Sequence, residues 1–75
     1  MYPNLDAEQA RYRDTNQMVA DFLGISRIAY ENKKKSGKFT APQIARLCEK
    51  YGVKFEYLFA EHPTDPAFGE AAESA

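Results

Sequence analysis

The amino-acid sequence predicts an all-α fold of five short helices. Apolar residues recur at three- and four-residue intervals in several segments of the chain, which is the spacing of a helix with one buried face. Residue types that commonly begin or end helices lie at both ends of these segments. No segment shows the alternation of apolar and polar residues that is typical of a half-buried strand. Because a chain of 75 residues buries only about 60% of its unfolded surface, we expect one compact domain with a thin core.

The first two helices are predicted in the N-terminal third of the chain. Asn4 can cap a helix over 5–13, since its side chain can accept a hydrogen bond from an unpaired N–H group of the first turn. Thr15 has the same role for a second helix over 16–23, in which apolar residues share one buried face. Gly24 then ends this helix by adopting a left-handed conformation that other residues resist.

The three remaining helices follow the same rules. Ser26 caps a third helix over 27–35, which the stretch "SGKF" ends, and Thr40 caps a fourth helix over 41–51. A short fifth helix is predicted over 54–59. The fourth helix has the cleanest apolar stripe, formed by Ile44, Leu47, Cys48 and Tyr51.

The net charge of −1 conceals an uneven distribution. Residues 60–75 contain four acids, two prolines and no Lys or Arg, and we expect a disordered acidic tail there. Residues 1–59, the predicted domain, hold all ten basic residues against seven acids. Five of these cations lie within residues 27–38, where Glu31 is the one acid: Arg27, Lys33, Lys34, Lys35 and Lys38. Such a cluster is typical of a protein that binds a polyanion, although a solvated run of lysines has the same composition.

The sequence favours no catalytic, metal-binding or membrane function. Cys48 lies on an apolar stripe, where a small core residue is expected, and His62 has no further metal ligands near it. We therefore expect no enzyme, no metal, no cofactor and no small-molecule ligand. A single cysteine fits a reducing cytoplasm, and the N-terminus lacks the pattern of a signal peptide. No apolar run reaches the roughly 18 residues that span a bilayer, so a cytoplasmic protein without membrane contact is expected.

The short connection between the second and third helices predicts their arrangement. Gly24 lets the chain reverse direction steeply, and Ile25 can insert from the turn into the core. Ala20 suits a place where two helices cross closely, because a larger side chain would not fit there. The third helix is then expected to project its N-terminal side chains outward, as in a helix-turn-helix.

Residues 4–59 resemble the lambda-repressor/Cro-type (XRE-like) helix-turn-helix family, in particular small phage-like transcriptional regulators. The resemblance lies in four stretches that follow the order of the family's helices: "NLDAEQAR", "TNQMVADFLGIS", "YENKKKSGKFTAPQI" and "LCEKYGVKFEYLF". It implies sequence-specific binding to double-stranded DNA, with repression of transcription as the expected result. The chain departs from the family at Asn16, where a glutamine that contacts the DNA backbone is usual, and at Asp14, where an apolar residue is common.

The third helix is expected to read bases in the major groove. Arg27 presents a planar fork that matches O6 and N7 of guanine, and Ile28 offers a methyl surface to thymine. Asn32 can pair with an adenine edge, and Glu31 can accept a hydrogen bond from N4 of cytosine. A surface arginine packed on a neighbouring ring is the alternative for Arg27. Phosphate contacts are expected from Asn16, Ser26, Tyr30 (through its hydroxyl, with the ring in the core), Lys33, Lys34, Lys35 and Lys38.

The sequence leaves alternatives open for the homodimer interface and for the class of partner. The last helix has more apolar surface than its own core needs, which indicates the interface of a homodimer formed by Phe55, Tyr57, Leu58 and Phe59. These residues could instead cover the base of a thin core. The fold could also serve as a protein-binding module, such as an antirepressor or an inhibitor of a host protein, which the net charge of −1 and the acidic tail favour.

Overall fold

The computed structural model describes residues 2–63 and contains five α-helices in this part of the chain. The helices are α1 (Pro3–Arg11), α2 (Asn16–Leu23), α3 (Arg27–Ser36), α4 (Ala41–Tyr51) and α5 (Phe55–Leu58). The predicted helical architecture is confirmed, and α2, α3 and α4 lie within one residue of their predicted bounds. None of these helices combines the length and the apolar character needed to cross a membrane. The predicted tail begins at residue 60, and its residues 64–75 lie outside the described part of the chain.

Local signals determine the borders of the central helices, as predicted. Each capping hydroxyl accepts a hydrogen bond from the backbone N–H three residues later, at 3.1 Å for Thr15, 3.0 Å for Ser26 and 3.3 Å for Thr40. Gly24 ends α2 in the left-handed conformation, with φ of 76°. These contacts lie within one turn of each helix end, so the neighbouring residues alone are sufficient to form them.

Helix α1 differs from its prediction at both ends. Pro3 occupies the first helical position, where its missing N–H costs no hydrogen bond, so Asn4 lies inside the helix instead of capping it. The buried side chain of Asn4 donates through Nδ2 to the carbonyl oxygen of Tyr57 at 2.7 Å, which ties α1 to α5. The helix ends at Arg11, because Arg13 adopts a left-handed φ of 58° that a right-handed helix cannot include.

The core receives one or two buried apolar residues from each helix. The apolar side chains without any exposure are Leu5, Val19, Ala20, Tyr30, Leu47 and Leu58. The contact between α2 and α3 is the most extensive between two helices in the described part of the chain. Ile25, in the turn between them, packs against the core as predicted. On α4, Leu47 and Tyr51 of the predicted stripe are buried, whereas Ile44 and Cys48 are partly buried.

The apolar residues of α5 serve the core more than an exposed surface. Tyr57 and Leu58 were predicted at a dimer interface, but they are only 3% and 0% exposed, so that prediction is wrong for both. Because α5 is a single turn, side chains that point into the core cannot also contact a second copy of the chain. Phe59 is partly buried, and its ring packs edge-on against the ring of Tyr2 with centroids 5.1 Å apart. Of the four candidates, Phe55 keeps a large exposure, 52%.

A buried carboxylate also joins α1 to α5. Glu8 is 2% exposed, and its Oε2 accepts hydrogen bonds from the hydroxyl of Tyr57 and from Nη2 of Arg11, both at 2.8 Å. Removing one partner of a buried charge leaves that charge poorly solvated, which makes such a group sensitive to substitution around it. Among residues 2–63, no buried side-chain nitrogen or oxygen lacks a hydrogen-bond partner.

We expect Gly24→Val to lower the free energy of unfolding by more than about 1 kcal/mol. A Cβ atom on this residue would meet no atom within 4 Å, so the cost comes from the backbone, which a β-branched residue resists at φ of 76°. Urea denaturation measures the loss. Gly24→Asn is the control and should cost clearly less, because Asn tolerates the left-handed region. Equal losses for the two variants would contradict this explanation of the turn.

Tyr57→Phe should lower the free energy of unfolding by about 1–2 kcal/mol, because it removes one hydrogen bond to the buried carboxylate of Glu8. Tyr12→Phe is a matched control. Tyr12 is 54% exposed, and the change in stability should stay below about 0.5 kcal/mol. Urea denaturation of both variants gives the comparison. A loss at Tyr57 no larger than the loss at Tyr12 would show that the buried bond to Glu8 contributes little.

Candidate nucleic-acid interface

The outer face of α3 carries three of the four residues predicted to read bases. Ser26 caps the helix, so Arg27 and Ile28 lie in its first turn. Tyr30 is the one fully buried residue of α3, and the residues away from it face the solvent. We define the outer face by four of the five exposed residues of α3, which are Arg27, Ile28, Asn32 and Lys35; the fifth, Ser36, is the last residue of the helix. Ile28 is 60% exposed and places an aliphatic surface beside the guanidinium-bearing Arg27.

An ion pair within α3 holds Arg27. Its Nη1 donates to Oε2 of Glu31 at 2.8 Å, one helical turn further along. The same oxygen accepts a hydrogen bond from Nδ2 of Asn16, the first residue of α2, at 3.0 Å. The hydrogen bond from Arg27 is the largest cause that lowers the pKa of Glu31 below its ordinary value, and the bond from Asn16 lowers it further. Glu31 is therefore ionised at neutral pH and connects the outer face to the start of α2.

Asn16 extends this connection to α1. Its Oδ1 accepts hydrogen bonds from Nε2 of Gln9 at 2.9 Å and from Nζ of Lys34 at 3.1 Å. Gln9, on α1, accepts a hydrogen bond from the hydroxyl of the buried Tyr30 at 2.7 Å. We define the polar network as the six residues that these bonds connect: Gln9, Asn16, Arg27, Tyr30, Glu31 and Lys34. The network joins three helices, so α1 and α2 together determine the position of α3.

Three predicted phosphate contacts lie inside this network: Asn16, Tyr30 and Lys34. The ring of Tyr30 is in the core, as predicted, but its hydroxyl is bound to Gln9, so the prediction that it reaches a phosphate is wrong. Burial raises the pKa of Tyr30, and the carboxylates of Asp6 and Asp14 add to this effect. Lys34 has a side chain that is 17% exposed, and its Nζ pairs with Asp6 at 2.8 Å. This lysine neutralises an acid of α1 instead of extending into the solvent.

The other predicted phosphate contacts lie nearer the surface. Lys35 and Lys38 are exposed, and the partly buried Lys33 donates from Nζ to the carbonyl oxygen of Lys38 at 3.2 Å. Ser26 is exposed, and because its Oγ acts as the acceptor in the capping bond, its hydroxyl proton can be donated to a phosphate oxygen. Asn16, in contrast, belongs to the polar network: it is partly buried, and both ends of its amide are bonded there.

Asp14, Asp21 and Glu31 could each interrupt the positive charge along α3, but they differ in where they lie and in what they contact. Asp14 is turned toward α4, where its Oδ2 accepts a hydrogen bond from the hydroxyl of Tyr51 at 2.8 Å. Asp21 is exposed on α2. Glu31 is the acid that lies among the cations of α3, where it compensates the charge of Arg27. Glu31 thus interrupts the positive charge of α3 at its N-terminal end. From Asn32 onward α3 contains no acid of its own, but Asp6 of α1 pairs with Lys34 there.

A second group of cations, which the sequence did not predict, lies between α2 and α4. The guanidinium of Arg46 lies 4.5 Å from the ring centroid of Phe22, and Nζ of Lys50 lies 4.9 Å from it. Arg46 also donates from Nη2 to the carbonyl oxygen of Phe22 at 2.8 Å, near the C-terminal end of α2. These contacts join residues far apart in the chain, so no local pattern could have indicated them. They stabilise the packing of α4 on α2.

Other reactive side chains form no site in the described residues. Cys48 is partly buried, and this burial raises the pKa of its thiol, which makes the reactive thiolate rare at neutral pH. His62 is exposed near the end of the described chain. Residues 2–63 contain no group of side chains that could hold a metal ion, and they form no ligand-sized cavity.

No family model, curated protein or solved structure matches the chain. The resemblance to the lambda-repressor/Cro-type family therefore stays a prediction from the residues quoted above.

Arg27→Ala should raise the pKa of Glu31 toward its ordinary value of 4.5, because the hydrogen bond from Arg27 is the largest cause of the lowered pKa. Since the folded-state pKa lies below the unfolded value, the pair stabilises the fold above about pH 4.5 and loses this effect as the pH falls through the folded-state pKa. An NMR titration of the Glu31 carboxyl carbon measures both proteins. Lys35→Ala removes a weaker influence and is the control. An unchanged titration in Arg27→Ala would contradict the ion pair.

Proposed function

We propose that the chain is a sequence-specific double-stranded DNA-binding regulator of transcription, with a lambda-repressor-like fold and α3 as the helix that reads the major groove. One observation carries this proposal. A turn of three residues separates α2 from α3, and α3 begins with an exposed arginine and an exposed isoleucine before it continues into a cluster of lysines. The combination supplies base-reading groups at the helix start and phosphate-binding groups further along. Repression of transcription is the proposed result of binding to an operator.

Base reading is assigned to the outer face of α3. Arg27 matches O6 and N7 of guanine, Ile28 contacts the methyl group of thymine, and Asn32 pairs with adenine. A guanidinium has five N–H donors, so Arg27 can keep its bond to Glu31 while two other donors bind guanine. Glu31, the fourth predicted base contact, already accepts hydrogen bonds from Arg27 and Asn16. This arrangement favours a role through Arg27 over direct contact with cytosine.

Phosphate binding is assigned to the exposed cations at the C-terminal end of α3. Lys35 and Lys38 are flexible ammonium groups that bind any backbone phosphate and carry little sequence information. Lys33 can add a donor beside these two lysines, and Ser26 can donate from the N-terminal end of α3. Lys34 contributes less than its charge suggests, because it is paired with Asp6.

We extend the proposal to a homodimer. A single domain of this size has a limited interface with DNA, and two copies that bind half-sites about one helical turn apart gain both affinity and specificity. Phe55 and Phe59 are the remaining candidates for the contact between copies. Their ring centroids lie 5.5 Å apart, and Phe55 exposes about half of its surface.

A protein-binding module is the second candidate function, and Glu31 is the observation that favours it. This acid compensates Arg27 at the N-terminal end of α3, where a DNA-binding helix approaches the bases most closely. With a net charge of −1, the chain could use the same surface to bind another protein, as an antirepressor or an inhibitor does. Direct measurement of DNA binding decides between the two candidates.

Selection from random duplexes, followed by titration at several salt concentrations, tests the DNA-binding proposal. Arg27→Ala should weaken binding to the selected duplex by about 1–3 kcal/mol and relax the preference at one base pair. Lys35→Ala should weaken binding to selected and scrambled duplexes alike and reduce the slope of log affinity against log salt by about 1. Lys54→Ala is the control, because this exposed lysine precedes α5 and lies outside the basic cluster, and it should change neither quantity.

Two outcomes would contradict parts of this assignment. Equal weakening of both duplexes by Arg27→Ala would make Arg27 a phosphate contact and move specificity to Ile28 or Asn32. Failure of the unmodified protein to bind any duplex at low salt would overturn the DNA-binding proposal, and the protein-binding candidate would replace it.

A further inference from the structure

One carboxylate oxygen holds both the arginine of the outer face and the first residue of α2. Oε2 of Glu31 accepts hydrogen bonds from Nη1 of Arg27 at 2.8 Å and from Nδ2 of Asn16 at 3.0 Å. An exposed arginine without such a partner samples many rotamers and loses that freedom when it binds. Here the guanidinium is fixed relative to α2 as well as to its own helix.

The other end of this connection is anchored. The Oδ1 atom of Asn16 is bonded to Gln9 and Lys34, so rotation of its amide would break hydrogen bonds at both ends. Gln9 is itself bound to the buried hydroxyl of Tyr30. An isolated exposed ion pair contributes little to any structure, but a pair that ends in a partly buried network keeps its geometry.

We propose that Glu31 is a positioning residue that determines the sequence specificity of Arg27, an inference that rests on the proposed DNA-binding function. By holding one guanidinium nitrogen, Glu31 leaves the remaining donors in one orientation, which reduces the entropy that Arg27 loses on binding guanine. The negative charge of Glu31 also repels phosphates. Arg27 is therefore kept from binding the backbone of an arbitrary duplex, and discrimination against wrong sequences increases.

Four variants test this proposal in the full chain. Glu31→Gln keeps the size of the side chain and removes the charge that holds Arg27. Asp21→Asn is the matched control, because it removes an exposed carboxylate that accepts a hydrogen bond from Gln17 and not from Arg27. Arg27→Ala and the double variant Arg27→Ala/Glu31→Gln complete a thermodynamic cycle. Each protein is titrated with the selected duplex, with a scrambled duplex, and with the selected duplex changed at the base pair that Arg27→Ala identifies.

If Glu31 positions Arg27, Glu31→Gln reduces discrimination at that base pair by about threefold or more. The double variant then discriminates no worse than Arg27→Ala alone, because Glu31 acts only through Arg27. Glu31→Gln also strengthens binding to the scrambled duplex more than Asp21→Asn does. Loss of discrimination at a different base pair, additive with Arg27→Ala, would make Glu31 a base contact and overturn the proposal. A gain for all duplexes equal to that of Asp21→Asn would make Glu31 an ordinary surface charge and would also overturn it.

A measurement without DNA separates failure of this inference from failure of the proposed function. NMR relaxation of the Arg27 Nε–H group should show an ordered guanidinium in the unmodified protein and a mobile one in Glu31→Gln. Equal mobility in both, together with specific DNA binding, would leave the proposed function standing and overturn the positioning role. An ordered Arg27 in a protein that binds no duplex at low salt would overturn the proposed function, and the role in specificity would fall with it.

Discussion

The burial of Tyr30 determines which side of α3 faces the solvent. It is the one residue of that helix without exposure, and a buried hydroxyl needs a hydrogen-bond partner, which Gln9 provides at 2.7 Å. With this ring fixed in the core, α3 cannot rotate about its axis, and Arg27 and Ile28 stay outside. The surface that we assign to DNA thus depends on a polar contact beneath it, between helices that are separated by α2 in the chain.

The borders of the central helices could be predicted because the contacts that determine them are local. Thr15 and Ser26 each act on an N–H group three residues away, so the sequence around the helix start contains the whole interaction. The prediction failed at Asn4, where two rules competed and a proline at the first helical position placed Asn4 inside the helix. Helix α5 was predicted to within one residue, but its inner and outer residues were not, because a single turn is too short for a period that separates them.

The candidate site could be predicted in its positions but not in its contacts. The exposed residues of α3 follow from helical spacing, whereas the bonds of Asn16 join residues 7, 15 and 18 positions apart in the chain and depend on how three helices meet. The same reason explains why the charge of the basic cluster was overestimated. Lys34 counts as a cation in the sequence, but in the fold it is paired with Asp6, 28 positions away.

The crossing of α2 and α3 restricts the residue types that two positions can accept, for two different reasons. Gly24 has open space around the position of a Cβ atom, so the restriction there concerns backbone conformation and not volume. Ala20, four residues earlier, has no exposure, and a larger side chain would have to displace its neighbours. Over evolutionary time, position 24 can therefore exchange among the few residue types that accept a left-handed backbone. Position 20 must remain small, whatever α3 comes to bind.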